Sequence, residues 1–361
     1  MVIFAQNNTF MANNTYPTFT DVNTLGEFGL IEKLTGDVVL KNSSSVKGIG
    51  DDAAVMNYGN QAVVVSTDML VEGIHFDLVY TPLKHLGYKA VVVNLSDIYA
   101  MNATPTQITV SIAISNKYSV EALTEFYEGI YKACEMYHVD LVGGDTTSSP
   151  KGMVISITAI GHRDKDKVVY RSGAKKGDIL CITGDVGAAY LGLQILEREK
   201  AVYLEHPGVQ PQLRDNQYLI ERLLKPEAQR GAVTYFAQNN IVPTSMIDVS
   251  DGLASELKHI CTQSGVGAFV EEGKVPIHPD AERMAIEFKL DPITCALHGG
   301  EDYELLFTID EQDLEKIRYM PEVFIIGEIT DASDGIKLHT TGGNIHDITA
   351  QGWNHFKAKE S

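Results

Sequence analysis

Acidic and hydroxyl side chains recur in this sequence at places where a predicted strand or loop meets the next element. Five such clusters stand out: Asp51-Asp52, Ser66-Thr67-Asp68, Asn94-Leu95-Ser96-Asp97, Gly143-Gly144-Asp145 and Asp248-Val249-Ser250-Asp251. Short oxygen ligands of this kind suit a hard divalent cation such as magnesium, which takes carboxylates, hydroxyls and water in an octahedral shell. Taken singly, each aspartate is better explained as a helix N-cap or a turn residue, because both positions select Asp.

A capping or turn role explains Asp251 best and Asp97 least. Asp251 precedes the helical pattern GLASELKHI and is well placed to begin a helix there. Asp97 lies inside YKAVVVNLSDIYAMNA, an apolar run that predicts a buried helix. A carboxylate in a buried helix needs a partner, and a metal ion is a suitable one. The pattern therefore indicates a magnesium site that includes Asp97.

The stretch VKGIGDDAAVM, residues 46–56, combines glycines with two adjacent carboxylates. GIGDDA matches the G-x-G-x-x-A pattern of dinucleotide-binding loops, and Asp68 follows at a suitable distance. Residues 53–61, however, contain the turn NYGN and leave no room for the helix that should receive the pyrophosphate. We therefore expect the glycines to form a tight turn rather than to bind phosphate, and the pattern alone leaves open whether Asp51 or Asp52 binds a cation.

Other catalytic patterns fail on inspection. The nearest string to a Walker A loop, GAFVEEGKV, has one residue too many between its glycines and lacks the Ser or Thr after the lysine. The sequence contains no G-x-S-x-G, no H-E-x-x-H and no cysteine in a recognisable nucleophile setting. Of the 11 histidines, His75 follows the acidic segment 66–68 most closely, although a lone histidine is more often structural than catalytic.

Apolar periodicity predicts alternating strands and helices around these clusters, which is typical of an α/β (α+β) protein. The strand candidates are residues 61–70, 106–115, 152–162, 178–184, 303–310 and 323–330. The helix candidates are residues 24–36, 88–103, 119–137 with Ser119 as N-cap, 187–200 and 215–224, and residues 244–265 predict a strand, a turn and a helix. The polar connection at residues 163–178 separates two α/β halves, so we expect a flexible extension at 1–22 and domains at 23–165 and 166–361.

Composition excludes several classes of protein. A hydrophobic content of 44% in 361 residues indicates a globular protein, and a net charge of −19 argues against a nucleic-acid surface or an anionic membrane face. The start lacks the features of a signal peptide, and no stretch is apolar enough to span a membrane. The four cysteines, Cys134, Cys181, Cys261 and Cys295, are widely spaced, which favours buried thiols in a reducing cytoplasm.

Ten segments in order resemble the thiamine-monophosphate kinases, which belong to the aminoimidazole-ribonucleotide-synthetase-like ATP-binding superfamily. They are LGEFGLIEKL, GIGDDAAV, STDMLVEGIHF, GYKAVVVNLSDIYAMNA, VGGDTT, YRSGAKKGD, IDVSDGLASEL, HGGEDYELLFT, IGEI and GWNHF, and they run from about Leu25 to Phe356. The resemblance implies an N-terminal α/β domain whose sheet pairs with that of a second subunit in a barrel-like homodimer core, and a C-terminal α/β domain. It also implies ATP-dependent, magnesium-assisted, in-line phosphorylation of thiamine monophosphate to thiamine diphosphate, the last step of thiamine diphosphate biosynthesis.

The resemblance also implies roles for individual residues. The metal ligands would be Asp52, Ser66, Thr67, Asp68, Asp97, Asp145, Asp248 and Asp251, with Asp97, Asp145 and Asp251 acting in catalysis. The nucleotide would bind at Tyr127, Gly144, Asp145, Arg171 and Ser250, and the thiamine phosphate at His75, Glu301 and Trp353. An aromatic face such as that of Trp353 also suits a cationic thiazolium ring.

Some segments depart from the family pattern. The loop at residues 183–189 lacks the Gly-Asp-Ser turn that the family often carries, and residues 201–217 match none of the motifs. The alternatives within the superfamily are a purine cyclo-ligase, a selenophosphate synthetase and a hydrogenase-maturation dehydratase. The last two would need a reactive cysteine near one end of the chain, and the cyclo-ligase gives no reason for GGEDYELLFT with a terminal tryptophan. A non-catalytic metal-binding or scaffold protein could keep the carboxylates but would have less reason to keep His75, Arg171, Glu301 and Trp353.

Overall fold

The computed structural model describes Gly29 and residues 43–349. The extension at residues 1–22, most of the helix predicted at 24–36 and the predicted substrate residue Trp353 lie outside the described residues. Both sheets described below lie within one compact unit.

The first sheet is six-stranded and comes from the N-terminal half. Its strands are β1 (Ser45–Lys47), β2 (Ala54–Tyr58), β3 (Gln61–Val71), β4 (Thr104–Ile114), β5 (Asp140–Ser148) and β6 (Met153–Asp164). They lie in the order β1-β2-β3-β6-β4-β5, with β4 and β5 parallel and the other neighbours antiparallel. Strand β2, which was not predicted, follows GIGDDA directly and forms a hairpin with β3, so no helix follows this loop, as the turn NYGN indicated.

Two long helices pack together beside this sheet, α1 (Leu83–Ala100) and α2 (Val120–Tyr137). Helix α1 begins five residues before the predicted start, with Pro82 in an extended conformation at its N-cap position. Helix α2 begins as predicted, with the Ala122 N–H donating to the Ser119 Oγ at 3.2 Å. The two helices cross at Gly87 and Gly129, where a Cβ on either glycine would lie 1.9 Å from a backbone oxygen of the other helix.

The second sheet is seven-stranded and comes from the C-terminal half. Its strands are β7 (Ile179–Thr183), β8 (Ser245–Asp248), β9 (Val266–Glu271), β10 (Leu305–Ile309), β11 (Val323–Asp331), β12 (Ile336–His339) and β13 (Ile345–Asp347). They lie in the order β13-β12-β9-β11-β7-β10-β8, and all neighbours are antiparallel except β12 and β9.

The remaining helices of the described chain belong to this half. They are α3 (Ala188–Glu205), α4 (Gln217–Leu224), α5 (Arg230–Gln238), α6 (Leu253–Ser264), α7 (Pro279–Glu287), α8 (Pro292–His298) and α9 (Leu314–Ile317). Helix α3 extends five residues beyond its predicted end, into the segment at 201–217 that matched none of the motifs.

Buried apolar side chains from both sheets share one core, so the halves are packed against each other. Phe126 and Ile157 of the first half belong to the same cluster as Phe236 and Phe307 of the second. Strand β6 ends at Asp164 and β7 begins at Ile179, so each sheet lies on its own side of the predicted domain boundary. The four cysteines are free thiols, and three of them are buried as predicted, whereas Cys134 is half-buried. Among the described helices, none is both long and apolar enough to cross a membrane.

Candidate active site

Helix α1 and strand β3 carry two of the predicted polar clusters, and hydrogen bonds join these elements directly. Asn94 and Asp97 lie three positions apart on α1 and therefore project from the same side of the helix. The Asn94 Oδ1 accepts the backbone N–H of Asp68 at 2.9 Å, and the Ser66 Oγ donates to the Asp97 Oδ2 at 2.5 Å. These bonds fix the second half of β3 against the middle of α1.

Asp52, Asp97 and Asp248 form a group that we call the acidic triad. Each contributes one carboxylate oxygen, and the three oxygens lie within 4.8 Å of one another. Around magnesium at about 2.1 Å, neighbouring ligand oxygens lie about 3 Å apart and opposite ones about 4.2 Å apart. Small side-chain rotations therefore bring the three carboxylates into one coordination shell. Three of the predicted ligands, far apart in sequence, meet here.

The electrostatics of the acidic triad favour a bound cation. Burial raises the pKa of Asp97 and of Asp248 well above the ordinary aspartate value, and neighbouring carboxylates raise it further. Burial and the charge of Asp52 raise the pKa of Asp68 to about 6. Ionised carboxylates this close repel one another, and a divalent cation among them removes that repulsion. The donor set therefore fits a hard cation such as magnesium.

Arg171 contacts the acidic triad through Asp52. Its Nε and Nη2 donate to the Asp52 Oδ2 and Oδ1 at 3.0 and 2.8 Å, in the two-pronged geometry with which arginine holds a carboxylate. Its backbone N–H donates to the Asp51 Oδ1 at 3.2 Å, and the Lys47 Nζ lies 3.4 Å from the Asp51 Oδ2. The two neighbouring aspartates thus have different tasks, since Asp51 anchors its loop to the Arg171 backbone and Asp52 belongs to the acidic triad.

The C-terminal half contributes Asp248, the last residue of β8. Its Oδ2 accepts a hydrogen bond of 2.6 Å from the Ser96 Oγ of helix α1, and both side chains are buried. The chain then turns, and Gly252 occupies the N-cap position of α6 that the sequence suggested for Asp251. The Asp251 N–H donates to the Glu256 Oε1 at 3.0 Å, so Glu256 fixes the backbone beside the triad. The prediction missed Glu256, although an acidic residue in the first turn of a helix is a common signal of such a contact.

The loop at residues 299–304 packs against the turn that follows β8. Glu301 and Tyr303 adopt left-handed backbone angles, with φ of 67° and 54°. Such angles cost non-glycine residues about 1–3 kcal/mol each and are concentrated at functional sites. The Glu301 N–H donates to the Ser250 O at 2.7 Å, and a Cβ on Gly300 would lie 2.1 Å from that oxygen. The loop thereby brings Glu301 next to predicted nucleotide and metal residues.

Arg222 of helix α4 supports the same loop from within the protein. Its Nη2 donates to the Asp302 O at 3.2 Å, to the Glu304 Oε1 at 2.9 Å and to the Asp185 O at 3.0 Å. The Asp302 carboxylate accepts the Gly187 N–H at 2.8 Å, at the start of α3. Burial raises the pKa of Asp302 and of Glu304 to about 7. In this chain the loop at 183–189 therefore contacts the loop at 299–304 through these groups.

The two predicted substrate residues in the described chain, His75 and Glu301, have defined partners. The His75 Nδ1 accepts the Val71 N–H at 3.0 Å, so the neutral ring carries its proton on Nε2. The Glu301 carboxylate forms an ion pair with Lys89 of helix α1. Lys89 was not among the predicted site residues, although a single lysine inside the apolar run GYKAVVVNL was a visible signal.

Tyr127, Gly144 and Asp145, three of the predicted nucleotide residues, line one cleft of about 520 Å³ between α2 and β5. Asp68 of β3 and Gly144 of β5 are in register across the sheet, with β6 and β4 between them. Three strand spacings separate the two backbones, which corresponds to about 14 Å. Asp145 therefore lies apart from the acidic triad, and it is exposed on an edge strand. Its ligand role stays a prediction.

Thr67 presents its side chain differently from its neighbours. Successive strand residues point to opposite faces of a sheet, and Ser66 points toward Asp97. The Thr67 Oγ1 donates to the Ile157 O at 3.0 Å and accepts a hydrogen bond from the Thr158 Oγ1 at 3.1 Å. The hydroxyl of Thr67 is therefore directed away from the acidic triad, and the ligand role of Thr67 stays a prediction.

Comparisons with known proteins find similar chains and a similar fold. A protein-family profile described as AIR synthase related protein, N-terminal domain, matches residues 50–162. The chain is 34% identical to a thiamine-monophosphate kinase of Bacillus subtilis, over 92% of this chain and 100% of the relative. It is 32% identical to a thiamine-monophosphate kinase of Aquifex aeolicus, over 92% and 98%. A solved structure described as AaThiL complexed with AMPPCP and TMP superposes with a TM-score of 0.78 at 29% identity, covering 93% of this chain and 99% of that one.

Proposed function

Because this chain belongs to the thiamine-monophosphate kinase family, we propose that it transfers the γ-phosphate of ATP directly to thiamine monophosphate and forms thiamine diphosphate. The observation that carries the proposal is the acidic triad, in which Asp52 and Asp97 of the first half meet Asp248 of the second. Such a group, with Arg171 beside it, is suited to a reaction between two polyanions.

Magnesium is the cation that these donors fit, and we propose that several ions bind. Asp52, Asp97 and Asp248 would hold them, together with Ser66, Thr67, Asp68, Asp145 and Asp251. Bound magnesium supplies the positive charge that lets two phosphate groups approach in a partly dehydrated cleft. Asp97 is central to this arrangement because it contacts Ser66 and belongs to the acidic triad.

The residues of the chain position the substrates rather than move protons. The attacking atom is a terminal phosphate oxygen of thiamine monophosphate, which is ionised at neutral pH, so no general base is needed. Arg171 holds Asp52 through its Nε and Nη2, and we propose that its Nη1 and Ser250 lie beside the ATP phosphates. The nucleotide extends toward the cleft formed by Tyr127, Gly144 and Asp145. Transfer is then in line, without a covalent enzyme intermediate.

We propose that thiamine monophosphate binds between His75 and Glu301, with Trp353 as a further contact. The imidazole of His75 can donate from Nε2 to a phosphate oxygen, because its Nδ1 accepts the Val71 N–H. A carboxylate such as that of Glu301 repels phosphate and attracts the cationic thiazolium end of the substrate.

We further propose that the protein is a homodimer that works in the cytoplasm. Helices α1 and α2 lie beside one face of the first sheet, whereas Met69 and Tyr58, on its other face, are 56% and 64% exposed. A second copy of the sheet would cover this face and form the barrel-like core. Four free thiols suit a reducing compartment.

The direct test is to incubate the protein with ATP, magnesium and thiamine monophosphate and to measure thiamine diphosphate and ADP. We expect both products in equal amounts, and no product when magnesium is replaced by a chelator. ATP consumption with a purine precursor but not with thiamine monophosphate would instead support the cyclo-ligase alternative.

A further inference from the structure

Lys89 is a buried cation on the helix that carries Asp97. Its side chain is only 7% exposed, and it lies in a stretch of α1 from Leu86 to Val93 in which every residue is buried. Burying an ammonium group is costly unless the charge is paired and hydrogen-bonded. The lysine therefore depends on the partners that the fold brings to it.

Those partners come from two distant parts of the chain. The Lys89 Nζ donates to the Leu223 O at 2.9 Å, one of the last carbonyls of helix α4, which have no partner within that helix. The same Nζ forms the ion pair with the Glu301 carboxylate, 212 residues further along the chain. A single ammonium group thus joins α1, the end of α4 and the loop at 299–304.

The backbone of Glu301 has a defined position, whereas its side chain can adopt several rotamers unless a contact fixes it. Its N–H is bonded to Ser250 and its φ of 67° keeps the residue in the left-handed region, so the position of its Cα is defined. The side chain is 32% exposed, and the ion pair with Lys89 determines the direction in which the carboxylate points. An ammonium with three donors can hold one carboxylate oxygen and leave the other accessible.

The exposures of the two side chains separate their roles. Lys89 is enclosed and its ammonium already contacts two acceptors, whereas about a third of the Glu301 side chain reaches solvent. A ligand entering the site therefore meets Glu301 and does not meet Lys89. A lysine that bound phosphate itself would need an accessible ammonium.

We propose that Lys89 is a positioning residue for substrate binding, which holds the Glu301 carboxylate toward the cationic part of thiamine monophosphate. This inference rests on the proposed function and adds to it a residue that does not touch the substrate. A carboxylate that is directed before the substrate arrives loses less conformational entropy on binding. Lys89 thus acts on the affinity for thiamine monophosphate and leaves the affinity for ATP unchanged.

The test compares Lys89→Met, Lys89→Arg and wild type in steady-state kinetics with each substrate varied. We expect Lys89→Met to raise the KM for thiamine monophosphate about ten-fold or more, with the KM for ATP and kcat little changed. Lys89→Arg keeps a cation opposite Glu301 and should recover part of the loss. Lys84→Met is the matched control, because Lys84 lies on the same helix in an exposed ion pair with Glu128, and it should behave as wild type.

A double-mutant cycle distinguishes positioning from direct contact. If Lys89 acts only through Glu301, Lys89→Met should have no further effect in a Glu301→Gln background. The inference would be overturned if the two changes raised the KM for thiamine monophosphate independently, so that their effects multiplied in the double variant. It would also be overturned if Lys89→Met raised the KM for both substrates equally or left both at the wild-type value. Wild-type protein that forms no thiamine diphosphate would overturn the proposed function and this inference with it, whereas an active wild type with an unchanged Lys89→Met overturns the inference alone.

Discussion

Asp97 concentrates several effects in one side chain. Helix α1 partly buries it, Ser66 donates a hydrogen bond to its Oδ2, and Asp52 and Asp248 lie within coordinating distance. Without a cation these carboxylates repel one another, and the raised pKa of Asp97 reflects burial first and this repulsion second. A buried carboxylate that is repelled by its neighbours lowers the stability of the cation-free protein. Cation binding removes the repulsion and therefore stabilises the folded protein.

Asp97→Asn should therefore abolish activity without unfolding the chain. We expect turnover to fall about 10³-fold, because charge stabilisation in the transition state is lost. The thermal unfolding midpoint without divalent cations should stay the same or rise, since one repelling charge is removed. Magnesium should raise the midpoint of wild type but not that of the variant, which differential scanning fluorimetry measures. Wild-type turnover in Asp97→Asn would remove Asp97 from the site.

Ser66 and Thr67 offer a neighbouring pair with opposite expected outcomes. Ser66→Ala removes the hydroxyl that contacts Asp97 and should weaken the magnesium-induced rise in the unfolding midpoint. Thr67→Val keeps the backbone carbonyl and removes only a hydroxyl that faces Ile157, so it should preserve that rise. A loss of magnesium stabilisation in Thr67→Val alone would show that the hydroxyl itself is a ligand.

Helix α4 is a short element with a large effect on the site. Two consecutive residues of its last turn reach the loop at 299–304, Arg222 by its side chain and Leu223 by its carbonyl through Lys89. The loop has strained backbone angles at Glu301 and Tyr303, and such strain persists only where surrounding contacts enforce it. We conclude that α4 maintains the geometry of a loop that it does not belong to.

Arg222→Met should be strongly destabilising. The change leaves Asp302 and Glu304 buried without their cation, which typically costs about 3–5 kcal/mol of unfolding free energy. Urea unfolding followed by far-UV circular dichroism measures the loss of unfolding free energy. Arg318→Met removes an exposed ion pair with Glu315 and should change stability by less than about 1 kcal/mol. Equal losses of unfolding free energy in the two variants would contradict a structural role for the buried ion pair of Arg222 with Glu304.

The buried carboxylates beside Arg222 also predict a pH dependence. The pKa of Glu304 is raised from about 4.5 to about 7 by burial, although Arg222 opposes this and Asp185 adds to it. The folded protein then holds the proton more tightly than the unfolded chain, so this contribution is present below about pH 4.5 and is lost as the pH rises through about 7. Asp302 acts in the same direction, with its pKa raised from 3.8 to about 7.

Glu304→Gln removes one of these two titrations. The stability of wild type relative to the variant should decline between about pH 4.5 and about pH 7, by up to about 3 kcal/mol. Urea unfolding of both proteins across that range measures the difference. Glu315→Gln, at an exposed ion pair, is the control and should change stability by less than about 1 kcal/mol. A stability difference for Glu304→Gln that does not change with pH would contradict the raised pKa of Glu304.

Local sequence patterns were sufficient to predict several strands and helices, but not to predict which side chains contact each other between them. Alternation and capping predicted β3, β6 and α2, because these depend on residues close in sequence. The alternation of strand side chains could also have placed Thr67 opposite Ser66. The ion pair of Arg171 with Asp52 joins residues 119 apart, and no local rule selects that partner. Lys89 could be recognised as unusual from its apolar surroundings, but its partner Glu301 becomes apparent only in the folded chain.

At the scale of the whole molecule, the first sheet has unequal faces. Helices α1 and α2 lie beside one face, while Met69, Tyr58 and the edge strand β5 remain accessible. An open sheet with exposed apolar residues and an unpaired edge is suited to association with another chain. The proposed homodimer would cover this surface.

Met69→Glu should therefore weaken the dimer. A buried, unpaired carboxylate at the interface should raise the dimer dissociation constant about 100-fold or more, which sedimentation velocity over a range of concentrations measures. Tyr319→Glu is the control, because Tyr319 is an exposed aromatic residue of the C-terminal half and should leave the dimer intact. A wild-type protein that sediments as a monomer would contradict the homodimer directly.

The long sequence separations within the site have a consequence for synthesis on the ribosome. Ser96 and Asp248 are 152 residues apart, and Lys89 and Glu301 are 212 apart, so the first half contains only part of each pair. Contacts of such separation form slowly, because a long loop must close before they contribute stability. A nascent chain that has emerged only through β6 has Asp52 and Asp97 but lacks Asp248. High-affinity magnesium binding should therefore appear late, after β8 has left the exit tunnel, and until then the growing chain competes poorly for the ion.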